Sequence, residues 1–162
     1  MNADRTHTWL EQNVHVVGHV GALKKELDAE ESACEAFGYL RGIKDRSNTV
    51  EFRFKNGNTM WFPYSWLGPC QFDPSQGLLL KFSGDMIYLV LIRGSNLDQP
   101  INDSSMTLTS GLQRHRITWV REMREQELKM IGDGSVTIDG VDIEAFATPA
   151  EASQWIKSQT HR

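Results

Sequence analysis

The sequence predicts an α+β protein: a mainly antiparallel sheet or a small β-barrel, flanked by N- and C-terminal helices. Three observations carry this expectation. From Tyr39 onward the apolar period becomes two. In "TVEFRFKNGNTMWFPY" Val50, Phe52 and Phe54 alternate with Glu51, Arg53 and Lys55. Asn56-Gly57 and Ser83-Gly84 separate such runs, as tight hairpin turns require. Near the C-terminal end, "TPAEASQWIKSQ" places Thr148 as N-cap, Pro149 at the first helical position and Glu151 where it completes a capping box.

Taken in order, the elements fit a single domain over residues 1–162. An N-terminal helical segment is expected at 8–37. Its first helix starts at Thr8 with Glu11 as reciprocal cap, and Leu10, Val14, Val17 and Gly21 share one face. "VHVVGHVG" makes a strand at 14–20 the rival, because β-branched residues and glycine disfavour a helix. A second helix opens at Asp28, with Glu31 as its reciprocal cap, and runs through "DAEESACEAF". The β core spans 39–146: the hairpin around Asn56-Gly57, "GLLLKF" at 77–82, "DMIYLVLIR" at 85–93, "HRITWVRE" at 115–122, and "SVTIDGVDIEAF" as a hairpin turning at Asp139-Gly140. Both faces of 86–92 are apolar, which predicts a central strand covered on both sides. A polar, turn-rich loop at 94–111 interrupts the core, and a helix over 149–159 follows it. That loop is expected to be mobile until a partner orders it, with Met106 and Leu108 as an extended-strand anchor on a sheet edge.

Composition narrows the function classes. The chain has 162 residues, 40% of them apolar and 23% charged, which is ordinary for a water-soluble domain with its own core. A net charge of −4 argues against bulk electrostatic capture of nucleic acid. Cys34 and Cys70 have no paired spacing, so two reduced thiols in the cytoplasm are expected rather than a zinc site or disulfide scaffold. The opening "MNADRTHTWLEQN" lacks the basic and apolar runs of a secretory signal, and "MIYLVLI" is too short to span a bilayer. No membrane partner and no cofactor are expected.

Three groups of residues could carry chemistry. Glu11, His15 and His19, at i, i+4 and i+8, would line one helical stripe able to hold a divalent metal, or equally the polar face of an amphipathic helix. Cys70, beside the Gly68-Pro69 turn, is a candidate thiol, although nothing near it in sequence would lower its pKa. The basic residues Arg41, Lys44, Arg46, Arg53, Lys55, Arg114, His115 and Arg116 interleave with Tyr39, Trp61, Tyr64 and Trp66, and Arg53, Lys55, Arg114 and Arg116 together with Arg93 are the candidate nucleic-acid contacts. Guanidinium groups and stackable rings on a sheet suit single-stranded nucleic acid. The competing account makes Arg53 and Lys55 a solvated hairpin face, with Trp61 and Phe62 as core or lid.

The run from Thr49 to Leu97, with "FRFKNG", "FDPSQGLLL" and "LIRGSNL", resembles an Sm-like β-barrel. The resemblance implies that Arg93 matches the family's base-contacting arginine and Asp73 its turn aspartate. The family's uridine-contacting asparagine falls on Gly77, and the insert "PYSWLGPCQ" lengthens the middle of the motif. A strand-end reading of the same residues gives Gly94 a positive φ, lets Asn96 bond the local backbone, and sends Arg93 into water or onto a carboxylate.

The leading expectation is a non-catalytic intracellular domain that works by protein–protein association as a homo-oligomer. Five tryptophans and an apolar sheet ask for more cover than a few short helices provide. RNA or single-stranded DNA binding is the alternative, and a metal-dependent enzyme the third.

Overall fold

A computed structural model describes residues 31–160. The chain divides into two units, Met1–Ser32 and Ala33–Arg162, and the second holds the folded core. The expected helix at 8–27 and its stripe of Glu11, His15 and His19 lie outside the described residues.

The fold is α+β, with nine strands in two mostly antiparallel sheets and three helices among the described residues. β1 (Glu31–Ala33), β2 (Phe37–Leu40), β3 (Thr49–Arg53), β4 (Thr59–Pro63) and β8 (Ile117–Arg121) form a five-stranded sheet, order β1-β2-β8-β3-β4. β5 (Leu67–Asp73), β6 (Gly77–Ser83), β7 (Ile87–Ser95) and β9 (Thr137–Phe146) form a four-stranded sheet, order β5-β6-β7-β9. The helices are α1 (Leu108–Gln113), α2 (Glu125–Met130) and α3 (Pro149–Thr160).

The alternation in β3 fixes which face is buried. Val50 and Phe52 are fully buried, and Phe62 follows on β4. These residues meet Phe82 from the other sheet, stacked on Phe62 with ring centres 4.6 Å apart. Leu78, Leu80, Val90, Ile92, Ile138 and Val141 complete one core between the two sheets. On the outer face of the four-stranded sheet, Leu89 and Leu91 are buried, and α3 lies against this sheet with Ala152 buried and Trp155 against Phe146. The apolar run 86–92 is therefore central and covered on both sides, as its composition requires.

The hairpin at Asn56-Gly57 forms, with Gly57 at φ 89°. Residues 77–83 and 87–95 pair antiparallel around Gly84, as expected. α3 carries its capping box: the Thr148 Oγ1 accepts from the Glu151 amide at 3.4 Å, and the Glu151 carboxylate accepts from the amides of Thr148 and Ala147.

Five expectations need correction. No closed barrel forms among the described residues. Residues 49–97 divide between the two sheets, and among the described residues both sheets keep open edges. The helix expected through Phe37 is absent where the chain is described. The amide of Cys34 donates to Phe37 O at 3.0 Å across a tight turn, and Ala36 and Phe37 are wholly buried, so packing overrides local helix propensity. Asp139-Gly140 is not a hairpin turn. β9 runs unbroken along β7 and accommodates Asp139 as the extra residue of a bulge opposite Arg93 and Gly94. Gly94 does not take a positive φ; a Cβ there would lie 1.9 Å from the carbonyl oxygen of Thr137, so close approach requires the glycine. Finally, the segment 94–111 is packed structure. Leu97, Ile101, Met106 and Leu108 all point into the core. Asn96, Asn102 and Asp103, at φ 57°, 51° and 53°, supply the reversals that let them do so.

Candidate interaction surface

The site is the outer face of the five-stranded sheet. Because Val50, Phe52 and Phe62 point inward, period-two geometry turns Glu51, Arg53 and Trp61 outward. Glu51 is directly opposite Trp61 on β4 and opposite Trp119 on β8. Trp119 is in turn opposite Gly38 on β2, where a Cβ would lie 2.2 Å from the indole Nε1; the glycine makes room for the ring to lie across the strand. A row therefore runs across the sheet: Gly38, Trp119, Glu51, Trp61.

Arg53 ties the row together. Its Nε and Nη2 donate to Glu51 Oε2 at 3.0 and 2.9 Å, and its guanidinium carbon sits 4.6 Å from the Trp119 ring centre. One position along, Arg121 donates to both oxygens of Glu127 at 3.2 and 2.9 Å and to the carbonyl of Glu35 at 2.6 Å. Hydrogen bonds from Arg121 and from the Arg124 amide hold the Glu127 carboxyl below its ordinary range. Trp61 differs from its neighbours: it is 64% exposed, against a protein in which most large apolar side chains are buried. The two cations on this face are thus held by carboxylates, while its largest exposed group is an indole.

The basic residues expected to bind nucleic acid do not gather here. Arg53 lies on this face. Lys55 sits in the adjoining turn, where its Nζ donates to Asp139 O at 2.7 Å and its amide to Glu122 at 2.8 Å. Glu122 also accepts from the Val141 amide, so this cluster joins the two sheets. Arg93 is on the opposite layer, on the outer face of the four-stranded sheet, paired with Asp142. That matches the strand-end reading of Arg93. Asn96 bonds Ser135 O across the fold rather than its local backbone. Arg116 is only 7% exposed, and its Nε and Nη2 donate to the carbonyls of Leu40 and Arg41, pinning the end of β2. Arg114 caps the C-terminal end of α1. Of the interleaved aromatics, Tyr39 and Tyr64 are core. The Tyr64 hydroxyl donates to Ile117 O at 2.7 Å, and burial holds the phenol well above its usual range.

The partner-anchor residues Met106 and Leu108 are 5% and 0% exposed, so neither is presented to a partner; each fills the core beneath α1. Asp73 accepts from the amide and hydroxyl of Ser75 at the β5–β6 turn, and these bonds lower its carboxyl. Desolvation raises both thiols. Cys70 is exposed on β5 with Sγ 3.5 Å from Gly68 O, and Cys34 is half-buried beside a cleft of about 720 Å³ that, among the described residues, no histidine, lysine or arginine lines. Among the described residues neither cysteine has a base beside it to make a thiolate. Among the described residues no three His, Cys, Asp or Glu side chains are grouped to hold a metal ion, and no helix is long and apolar enough to cross a membrane.

The sequence left Trp61 either a stackable ring on the sheet surface or core or lid, and it did not single out Trp119. The signal for Trp61 was present: with Phe52 and Phe62 facing the core, a two-residue period turns their neighbour outward. Trp119 could not be found this way, because its partner strands are distant in sequence. Compared with protein-family models, with curated proteins and with solved structures, the chain matches none.

Proposed function

We propose that this is a non-catalytic association domain that acts in the cytoplasm and binds protein, as a homo-oligomer, through the outer face and β4 side of its five-stranded sheet. One observation carries the reading: Trp61, 64% exposed, stands on a face whose arginines are already held by Glu51 and Glu127. An exposed indole surrounded by satisfied charge suits a protein partner, since tryptophans anchor interfaces and a paired rim keeps them specific. A phosphate chain would instead need converging cations without carboxylate partners. Two thiols that no disulfide joins suit a reducing compartment.

Light scattering on the full chain over a range of concentrations tests this. The expected result is a mass that rises from one chain to a defined multiple, without added ligand. A single-chain mass throughout, or a mass that rises only with bound nucleic acid, contradicts it.

A further inference from the structure

The described residues present four sheet edges, and they are not alike. β1 is only three residues long. β5 is broken by a register shift between Leu67 and Cys70, around Gly68 and Pro69. β9 carries Asp139, Asp142 and Glu144, so two copies meeting there would set carboxylates near carboxylates. Short length, bulges, proline and charge are the devices that keep strand edges from pairing. β4, "TMWFP", has no charged residue, keeps an unshifted register along β3, and carries the exposed Trp61 at its centre.

The backbone of β4 can be assigned atom by atom. The Phe54 amide donates to Asn58 O at 2.9 Å at one end of the hairpin, and the Tyr64 amide to Asn48 O at 2.9 Å at the other. Hydrogen-bonded pairs alternate along an antiparallel ladder, so Phe52–Met60 and Val50–Phe62 are the bonded pairs between. The N–H and C=O groups of Thr59 and Trp61, with the C=O of Pro63, therefore point away from β3 to the open edge. Pro63 has no N–H, but its ring nitrogen faces that edge, so β3 loses no bond.

We propose that β4 is the homotypic interface: two copies of this chain pair antiparallel along it, about a two-fold axis at Trp61. In this register Trp61 exchanges both backbone bonds with its counterpart, and each Thr59 N–H donates to Pro63 O of the other copy. Every outward donor of the strand is used, and the missing proline N–H leaves one bond per copy forgone. The two indoles come side by side on the same face, burying the group that the single copy leaves exposed. The neutral strand lets two chains of net charge −4 approach here without like charges in register. This interface rests on the association proposed for the domain and deepens it.

The test combines amide exchange and two substitutions. In the full-length protein at associating concentrations, the Thr59 and Trp61 amides should exchange slowly, and dilution to the single chain should release both while the Met60 and Phe62 amides stay protected. Thr59→Pro removes an outward N–H that no bond among the described residues uses. Trp61→Lys sets two like charges across the axis. Each should raise the dissociation constant at least tenfold with an unchanged circular-dichroism spectrum. If Thr59→Pro misfolds, Trp61→Lys and the wild-type exchange pattern still decide. Fast exchange at Trp61 in the oligomer overturns edge pairing while leaving association through the Trp61 face intact; association that survives Trp61→Lys undiminished overturns edge pairing and takes the interface off the Trp61 side. A wild type that never exceeds one chain in mass overturns both.

Discussion

The guanidinium of Arg53 lies 4.6 Å from the centre of the Trp119 ring while donating twice to Glu51, so one side chain joins β3 to β8 on the open face of the sheet. These strands pair in parallel, the one parallel pairing in an otherwise antiparallel fold of the described residues. Arg53→Ala should lower stability by about 1 kcal/mol, the sum expected of an exposed cation–π contact and a surface ion pair. Arg53→Lys should recover only part of this, since an ammonium cannot stack and bond bidentately together. Urea midpoints of the wild type and the two variants check it; an Arg53→Lys midpoint equal to that of the wild type would show that the stacking contributes nothing.

Gly77 opens β6 at the β5–β6 turn. Its φ is +122°, and a Cβ there would lie 2.2 Å from the carbonyl oxygen of Ile92 on the neighbouring strand. Gly77→Asn is therefore expected to destabilise by on the order of 3 kcal/mol, through both backbone strain and the clash. Thermal unfolding measures this. An asparagine accepted without loss of stability would refute the steric account.

Leu108 is wholly buried beneath α1, at the end of the segment whose polar composition suggested a mobile loop. Leu108→Ala should cost about 2–5 kcal/mol, as a cavity-forming core truncation does. Limited proteolysis of the wild type should leave 94–111 uncut while more accessible bonds are cleaved. In Leu108→Ala the same segment should become susceptible.

Glu127 supplies a pH dependence whose sign is determined. Hydrogen bonds from Arg121 and the Arg124 amide hold its carboxyl below the ordinary value of 4.5. A carboxyl depressed in the folded state contributes stability in full above its unfolded pKa and loses it as pH falls through the folded value. Stability of the wild type should thus decline below about pH 4.5. Glu127→Gln should lower stability at neutral pH and flatten this part of the profile, as read from urea midpoints between pH 7 and pH 3. An unchanged slope would show that the contact does not form in solution.

Much of the sheet was legible because its signals are local. Val50 and Phe52 alternate with charges, Asn56-Gly57 turns the chain, and "MIYLVLI" is apolar on both faces; each states its role within a few residues. What stayed hidden depends on pairings far apart in the chain. Nothing near Glu51 announces Trp119, nor does Gly38 announce the indole that covers it. Arg116 looked like half of a basic patch because sequence cannot show the carbonyls of Leu40 and Arg41 around its guanidinium. The segment 94–111 misled for a related reason. Its four apolar residues are widely spaced, and only the left-handed turns at Asn96, Asn102 and Asp103 bring them to one side. The choice between the two readings of Trp61 was recoverable, since the hairpin register alone sends it outward.

Sedimentation velocity on three full-length proteins tests the central claim most directly: the wild type, Trp61→Ala, and Arg93→Ala as a control on the opposite layer. Removing an interface anchor costs about 2 kcal/mol or more, which is roughly a 30-fold weaker association. The wild type and Arg93→Ala should associate over the same concentration range, with Trp61→Ala displaced upward by that factor. A wild type that sediments as a single chain throughout, or a Trp61→Ala that associates like Arg93→Ala, would contradict the claim that this protein works by association through the Trp61 side of its sheet.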